Sequence, residues 1–407
     1  MSIYIHKMSI KNENITSNTE SEIRNWDDMD LKHELLRGIF AYGFEIPSEI
    51  QKKAILPITL GKDVIAQAQS GSGKTGSFSI GILQRIDISL KKTQALILAP
   101  THELAKQIAV VIQALGSNIG SESESEQKLQ VKTLLGGTSI REDVQHMREN
   151  VPHIVVGCVG RVFDMLSKGH IIGQDLDMFV LDEADEMLSK GFGEQIRDMF
   201  QMFFKDNIQV VLFSATMPPD ILHLTSQFMR EPVKIMMKPE ELNLKCIQQF
   251  YVAVQNDFVK FEVLKDLFSV ISVSKCIIYC NSVRRVQELF FTMQKEGFSV
   301  VNIHSSMDKA EREKVFAQFR YGDARVLISS DITARGIDIQ QVSTVINYDI
   351  PKCVHNYLHR IGRSGRWGRK GFAINLVTKQ DIYDLHAIEK HYTITIEELP
   401  SSFSGSV

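Results

Sequence analysis

Short apolar runs rich in β-branched residues alternate along this chain with longer amphipathic stretches. Six runs in the first half are predicted to be strands: Val64–Ala68, Ala95–Ala99, Val131–Leu135, Ile154–Val159, Phe179–Leu181 and Val210–Phe213. Five follow in the second half: Cys276–Cys280, Val300–Ile303, Val326–Ile328, Thr344–Asn347 and Ala373–Val377. Strands and helices that alternate in this way predict parallel sheets covered by helices on both faces.

The two series of runs predict two α/β domains. At about 150 residues per domain, a chain of 407 residues is long enough for two or three. The pattern weakens after Pro218, and residues 236–245 are predicted to be a linker with its own charge. We therefore predict a mobile tail over 1–21, a first domain over 22–235 and a second domain over 246–407.

Charge and hydropathy exclude several classes of protein. No apolar stretch approaches the roughly 18 residues of a membrane span, and the first 20 residues contain no apolar core of a signal peptide. The net charge of −3 argues against coating nucleic acid by bulk electrostatics, so any contact with nucleic acid must be local.

The five cysteines include no CxxC pair, and Cys276 and Cys280 are expected to be reduced thiols on one face of a strand. The run 121–126 is expected to be a solvated acidic loop.

The sequence AQSGSGKT over residues 68–75 predicts a phosphate-binding loop. It directly follows the apolar run at Val64, so it opens a turn from a strand. Gly71 and Gly73 can adopt backbone angles that let successive N–H groups converge on an anion. Lys74 is then expected to reach the β and γ phosphates, and Thr75 to offer its hydroxyl to Mg²⁺ at a helix N-terminus.

Acidic and hydroxyl side chains follow two further strands. Asp182 and Glu183 come directly after the apolar Phe179–Leu181 run, so they are expected on the same edge of the sheet as the phosphate loop. There Asp182 could hold Mg²⁺, usually through water, and Glu183 could orient or deprotonate the attacking water. Ser214 and Thr216 end another strand and are expected to lie near Asp185.

The densest basic segment, His359–Lys370, contains four arginines and a lysine and no acid. Arginines spaced by three residues suit phosphate groups. Arg363 and Arg366 are candidates to reach the γ phosphate from the second domain, which would make hydrolysis depend on closure of the two domains.

Taken together, these motifs resemble the DEAD-box RNA helicases in order and approximate spacing over residues 22–400. The matching segments are GFEIPSEIQ (43–51), AQSGSGKT (68–75), PTHELA (100–105), GG (136–137), DEAD (182–185), SAT (214–216), ARGID (334–338) and HRIGRSGR (359–366). The sequences of the linker and of the C-terminal segment are most similar to those of the translation initiation factor 4A branch, including its nuclear paralogues. The resemblance implies two tandem RecA-like doubly wound domains of α/β class joined by a short linker.

The resemblance implies ATP and Mg²⁺ as cofactors. Phe44 is then expected to stack on adenine while Gln51 reads its polar edge, which favours ATP over GTP, and Asp338 is expected to hold the ribose. The residues implied to bind the nucleotide are Trp26, Phe44, Gln51, Ser70, Gly71, Ser72, Gly73, Lys74, Thr75 and Asp338.

The resemblance also implies RNA as a partner, held by its sugar-phosphate backbone across both domains and distinguished from DNA by its 2′-hydroxyls. The implied RNA-binding residues are Pro100, Thr101, His102, Gly137, Gly160, Arg161 and Arg335. Coupling between ATP and RNA is implied for Asp185, Ser214, Thr216, His359 and Arg360.

Three departures from the family pattern lie on the RNA side. His102 replaces an arginine, Cys158-Val159 replaces Thr-Pro, and Ser305-Ser306 replaces Gly-Asp. Each lost phosphate contact is worth about 1 to 3 kcal/mol, so RNA affinity is expected to be weaker, or more dependent on a partner, than in typical members.

The sequence leaves the biological role open between two readings. The first is a cytoplasmic helicase in translation initiation that acts with a protein scaffold or accessory factor and is itself a monomer. The second is a nuclear ATP-gated RNA clamp, favoured slightly by Ser364. A third reading, a GTP-binding switch based on TKQD (378–381), is disfavoured because this motif lies 305 positions after Lys74 and in the other domain.

Overall fold

The computed structural model of this protein describes residues 23–69, 71–120, 128–236, 247–270, 275–331, 342–364 and 371–400. The expected tail, the acidic run, the linker interior, the ARGID motif and Arg366 lie outside these ranges. Among the helices that the structure describes, none combines the length and apolarity needed to cross a membrane.

The first seven strands form one parallel sheet. They are β1 (Val64–Gln67), β2 (Ala95–Ala99), β3 (Val131–Leu134), β4 (Ile154–Cys158), β5 (Met178–Asp182), β6 (Gln209–Ser214) and β7 (Val233–Met236). Their spatial order is β3-β4-β2-β5-β6-β1-β7. The central strands are buried on both faces, as expected for a sheet covered by helices on each side.

The second seven strands repeat this arrangement. They are β8 (Ile247–Ala253), β9 (Cys276–Tyr279), β10 (Val300–Ile303), β11 (Val326–Ser329), β12 (Thr344–Asn347), β13 (Gly371–Val377) and β14 (Glu397–Glu398). The order β10-β11-β9-β12-β13-β8-β14 is the order of the first sheet with every strand number raised by seven. The predicted α/β class with two tandem RecA-like domains is confirmed.

Helices connect the strands of each sheet. In the first half they are α1 (His33–Ala41), α2 (Glu49–Thr59), α3 (Lys74–Arg85), α4 (His102–Leu115), α5 (Ile140–Glu149), α6 (Val159–Ser167), α7 (Ala184–Ser189), α8 (Gly193–Met202) and α9 (Pro219–Phe228). In the second half they are α10 (Lys260–Val270), α11 (Val283–Lys295), α12 (Lys309–Tyr321), α13 (Val354–Ile361) and α14 (Ile382–Tyr392).

Alternate residues of the strands feed separate cores on the two faces of each sheet. On β1, for example, Val64 and Ala66 pack in one cluster and Ile65 in the other. On β9, Cys276 and Ile278 share a face with Cys280, whereas Ile277 packs on the opposite face. Both cysteines are free and buried, as predicted, and burial raises the pKa of each thiol.

All eleven predicted strands are present, with ends within two residues of the predicted ones. The sequence analysis missed β7, β8 and β14. Two of these strands form the sheet edges beside β1 and β8, where residues of β7 and β14 are exposed and the apolar signal is correspondingly weak.

The parallel register brings the functional motifs to one edge of the first sheet. The phosphate loop follows β1, Pro100 follows β2, Gly136 follows β3, and the DEAD and SAT motifs begin at the last residues of β5 and β6. Loops at the carboxyl ends of parallel strands are where such sheets bind ligands.

Candidate functional site

The turn between β1 and α3 has the backbone of an anion-binding loop. Gly71 and Gly73 have φ angles of 83° and 106°, values that residues with a side chain rarely adopt. Gly73 is the N-cap of α3, and Lys74 and Thr75 are its first two residues. Ser72 donates its hydroxyl to the carbonyl oxygen of Gln69 at 2.7 Å, which closes the turn. Ser70 lies outside the described residues.

Lys74 and Glu183 form a buried ion pair across the site. Lys74 Nζ lies 2.9 Å from Glu183 Oε1, and the two side chains are 5% and 3% exposed. Glu183 is itself held in the left-handed region, with φ 53° and ψ 51°, as the N-cap of α7. Its second oxygen, Oε2, is buried and has no hydrogen-bond partner among the described residues. Glu183, the carboxylate predicted to activate water, therefore has one buried oxygen, Oε2, that remains able to accept a hydrogen bond in the site.

Two acidic groups of the DEAD motif, Asp182 and Glu183, differ in their ionisation. Burial, reinforced by the nearby Glu183 and Asp185 and opposed by Lys74, raises the pKa of Asp182 to about 7. Burial is the largest influence on Glu183 and opposes its ionisation, but the attraction of Lys74 and His359, together with the hydrogen bond from Lys74, outweighs burial and lowers the pKa of Glu183 below its usual value. One site thus contains one carboxyl that readily takes a proton and one that stays ionised.

Phe44 and Gln51 pack directly over the phosphate loop. A Cβ at Gly76 would lie 2.6 Å from Gln51 Nε2 and 3.0 Å from Phe44 Cε2, so only glycine fits there. Gln51 Oε1 accepts from the backbone N–H of Ser48 at 2.7 Å, and Gln51 Nε2 donates to the carbonyl oxygen of Gly73 at 3.4 Å. The structure therefore places both predicted adenine-reading side chains beside the loop.

Trp26 lies one layer deeper than the prediction for a nucleotide-binding residue implies. It is 1% exposed, and its ring stacks on Phe44 with centroids 6.1 Å apart. Its indole N–H donates to the carbonyl oxygen of Phe44 at 3.1 Å. Trp26 thus supports Phe44 from below, because its own faces are buried in the core.

Asp185 links the strand-end hydroxyls to the second domain. Its two carboxylate oxygens accept hydrogen bonds from the hydroxyls of Ser214 and Thr216, each at 2.7 Å. His359 Nε2, on α13, lies 3.3 Å from Asp185 Oδ2. Four of the five predicted coupling residues are therefore in one buried cluster that spans the two domains.

That cluster also has the spacing of a metal site. Glu183, Asp185 and His359 each present one ligating atom within 4.8 Å of the others. The ligands predicted for Mg²⁺ are different residues, Thr75 and Asp182. Since both oxygens of Asp185 already accept hydroxyl hydrogen bonds, we interpret the cluster as an interdomain contact.

Arg360, the fifth predicted coupling residue, faces inward. It is fully buried and contacts Asp331, Asn347, the carbonyl oxygen of Asp349 and Asn281, all within the second domain. Four donors satisfied in this way hold α13 against its own sheet. Arg360 therefore fixes the helix that presents His359, and its role in coupling stays a prediction.

Arg363 follows α13 and is 1% exposed. Its Nε donates to the carbonyl oxygen of His359 at 3.3 Å, so it stands one turn from the residue that contacts the DEAD motif. Arg366, Asp338 and Arg335 lie outside the described residues, and their roles stay predictions.

Several predicted RNA-binding residues meet on the neighbouring part of the same edge. Thr101 is the N-cap of α4 and accepts from Leu104 N, so the backbone passes from β2 into α4 within two residues. A Cβ at Gly136 would lie 3.3 Å from His102 Nε2, which places His102 against the GG turn. Gly137 has φ 73°, and nothing lies within 4 Å of its missing side chain. Gly160, on the first turn of α6, is equally open.

Arg161, which is predicted to contact RNA, is largely buried and bound by groups of the protein; its contact with RNA stays a prediction. Its guanidinium is 6% exposed, forms an ion pair with Asp143 and donates to the carbonyl oxygen of Thr138 at 2.7 Å. Asp143 also pairs with Lys132 at 3.0 Å. Arg161 therefore supports the turn that carries Gly137. No local sequence pattern predicted its partner on α5, Asp143.

The sequence analysis also missed two ion pairs between the domains. Lys106 on α4 pairs with Glu313 on α12, and Glu103 lies 3.8 Å from Arg312 on the same two helices. No local pattern marks such pairs, because each partner is an ordinary exposed charge on a helix until the two domains meet.

The comparisons with known proteins agree with this geometry. The family model described as "DEAD/DEAH box helicase" matches residues 48–224, and "Helicase conserved C-terminal domain" matches residues 259–368. The chain is 51% identical over 393 residues to "Eukaryotic initiation factor 4A" of Caenorhabditis elegans, covering 97% of this chain and 95% of that protein. It is 50% identical to "ATP-dependent RNA helicase eIF4A" of Neurospora crassa, covering 97% and 96%.

Among solved structures, S. cerevisiae Dbp5 bound to RNA and ADP BeF3 is similar to this chain. The TM-score is 0.83 at 34% identity, and the match covers 93% of this chain and 96% of that one. Near-complete coverage at about half identity establishes the family. The chain belongs to the DEAD-box ATP-dependent RNA helicases, in the branch of eukaryotic initiation factor 4A.

Proposed function

We propose that this protein is an RNA-dependent ATPase that uses ATP hydrolysis to unwind or remodel short RNA structure during translation initiation. One observation carries the proposal: a phosphate loop, a DEAD carboxylate cluster and a histidine from the other domain meet in one buried site, with His359 Nε2 3.3 Å from Asp185. A site divided between two domains can respond to RNA bound across both.

The residues around the phosphate loop fit a magnesium nucleotide. The loop supplies converging N–H groups, Lys74 supplies a buried cation, and Glu183 Oε2 is a buried acceptor with no partner among the described residues. Thr75 and Asp182 are the residues that would hold Mg²⁺, which when bound neutralises charge on the phosphates.

Two anions, Glu183 and the triphosphate of the nucleotide, would compete for the positive charge of Lys74. Without nucleotide, Glu183 neutralises it. Binding of the triphosphate offers Lys74 a stronger anion and leaves Glu183 free to hold the attacking water and accept its proton. Phe44 and Gln51, packed above Gly76, would orient the base and favour adenine.

RNA would bind along Pro100, Thr101, His102, Gly137 and Gly160. Of these, Gly137 and Gly160 have open space beside them for a sugar-phosphate chain. With His102 in place of an arginine, affinity should depend on partners, so we propose a protein scaffold or accessory factor. We also propose that the chain works as a monomer and in the cytoplasm; the name of its initiation-factor relative supports only the second of these.

The proposal is tested by measuring ATP hydrolysis by the purified chain with and without single-stranded RNA, together with separation of a short RNA duplex. RNA should raise kcat, ATP should be preferred to GTP, and Glu183→Gln should keep nucleotide binding while losing hydrolysis. Hydrolysis that ignores RNA, or a preference for GTP, contradicts the proposal. An RNA complex that persists long after one turnover would indicate the clamp function instead.

A further inference from the structure

A lysine at the end of the DEAD helix contacts the loop predicted to bind RNA. Lys190 is the C-cap of α7, the helix that begins directly after Glu183. Its Nζ donates to the carbonyl oxygen of Pro100 at 3.1 Å and lies 2.8 Å from Glu186 Oε1. One ammonium group therefore joins the helix of the ATP site to the first residue of the RNA-facing loop.

The other parts of this connection are rigid. The α7 helix is short, and Ala184 and Met187 on its inner face are almost completely buried. Glu186 is itself 6% exposed, so it holds the lysine head group from a fixed position. At the far end, Pro100 is buried and only two residues separate β2 from α4. A displacement of α7 would therefore be transmitted to Pro100, because the packed groups between them leave little room for it to be absorbed.

The end of α7 at the ATP site is held in one arrangement by an ion pair that a bound nucleotide would break. Glu183, in a left-handed conformation at the N-cap, pairs with Lys74 when no phosphate competes for that lysine. A bound triphosphate would attract Lys74 and break its ion pair with Glu183. Because Glu183 is the N-cap of α7, the first turn of this helix would then lose one of its attachments. An element with two such states is what coupling between two ligands requires.

We infer that Lys190, held by Glu186, is a positioning residue that couples nucleotide binding to RNA binding by fixing the carbonyl of Pro100 relative to α7. This inference rests on the proposed function. Because coupling is reciprocal, nucleotide should tighten RNA by the same factor by which RNA tightens nucleotide, and both factors should depend on Lys190.

The test compares RNA affinity with and without a non-hydrolysable ATP analogue and takes the ratio of the two. Lys190→Met keeps the length of the side chain and removes its charge and donors. The ratio should fall by about threefold to tenfold, the range for a partly exposed charged hydrogen bond. Lys190→Arg can still reach both oxygens and should restore most of the ratio. Glu186→Gln should lower the ratio in the same direction.

A matched control is Lys168→Met. Lys168 ends α6 and pairs with Asp164 four residues earlier at 2.7 Å, the same arrangement as Lys190 with Glu186 but in a different helix. Its variant should leave the ratio unchanged. A general loss of folding would lower both affinities and leave their ratio unchanged, so it cannot imitate the predicted effect.

The outcomes separate the two proposals. A wild-type ratio near one, with no ATPase response to RNA, overturns the proposed function. A wild-type ratio well above one that survives in Lys190→Met overturns the role of Lys190. A fall in Lys168→Met as large as in Lys190→Met also overturns it, because the effect would then follow from any lost surface lysine.

Discussion

At the scale of single residues, the site is governed by one buried cation among three buried acids. Lys74 lies 2.9 Å from Glu183, and Asp182 and Asp185 raise its pKa further against the opposing effect of burial. Lys74 donates its hydrogen bond to Glu183, so Asp182 is the less compensated of these two acids and takes up a proton more readily than Glu183. A magnesium nucleotide would supply the missing positive charge.

The raised pKa of Asp182 predicts a specific dependence of stability on pH. In the folded chain without nucleotide this carboxyl titrates at about 7, against about 4 when unfolded, so the folded state binds the extra proton between these values. Stability from this group is therefore fully present below about pH 4 and is lost as the pH rises towards 7. The free energy of unfolding of the wild type, relative to Asp182→Asn, should fall by at most about 1.4 kcal/mol per pH unit.

Chemical denaturation of both proteins from about pH 5 to about pH 8, without nucleotide or divalent metal, measures this difference. The asparagine variant is the control, because it keeps the shape of the side chain and cannot titrate. A difference in unfolding free energy that is flat, or that grows with pH, would contradict a raised pKa of Asp182 in the folded state.

At the scale of elements, the turn after β3 is held by a side chain from α6. Arg161 pairs with Asp143 on α5 and donates to Thr138, so three separate elements are joined around the GG turn. Such an arginine holds the shape of the turn. Its removal should therefore cost stability even where no RNA is present.

The variant Arg161→Met is predicted to lower the free energy of unfolding by about 1 to 3 kcal/mol. Asp143 keeps its second partner, Lys132, so the loss should be smaller than for a completely unpaired buried charge. Denaturant unfolding without RNA measures the change. Arg197→Met is the matched control, because that partly exposed arginine makes a single side-chain hydrogen bond, to Gln227, within the described part of the chain. Equal stability of both variants would return Arg161 to the role of a simple RNA contact.

At the scale of the whole molecule, the two domains have the same strand order and contact each other through both buried and exposed side chains. The buried contact is His359 with Asp185, and the outer contacts are two ion pairs of opposite sense between α4 and α12. Lys106 and Glu313 are about half exposed, so their attraction is modest and sensitive to salt. The outer pairs set the register of closure more than its strength.

Reversing one charge of this pair should weaken closure, and reversing both should restore it. Lys106→Glu and Glu313→Lys are each predicted to raise the RNA concentration for half-maximal ATPase by about twofold to fivefold. The double variant should return towards wild type, and the difference between single and double variants should shrink at high salt. Additive losses in the double variant would mean that the two side chains do not meet during turnover.

Local pattern predicted most of this fold for a physical reason. Central strands of a parallel sheet are buried on both faces, so runs such as Ala95–Ala99 stand out in the sequence. The edge strand Val233–Met236 is largely exposed and was missed. The same logic applies to the site: glycines and acids at strand ends are visible in the sequence, whereas the burial of Trp26 beneath Phe44 is not.

Amino-acid order alone determines the elements, their parallel topology and the chemistry at each strand end, because periodicity and turn residues act over a few neighbours. Only the tertiary structure decides which charges are satisfied. In the folded chain Arg161 pairs with Asp143, and Arg360 donates hydrogen bonds within its own domain. His359 contacts Asp185 of the other domain, and Lys190 donates to the carbonyl oxygen of Pro100. These choices depend on burial and on distances between residues far apart in the chain, and a side chain acquires both only when the sheets and helices have packed.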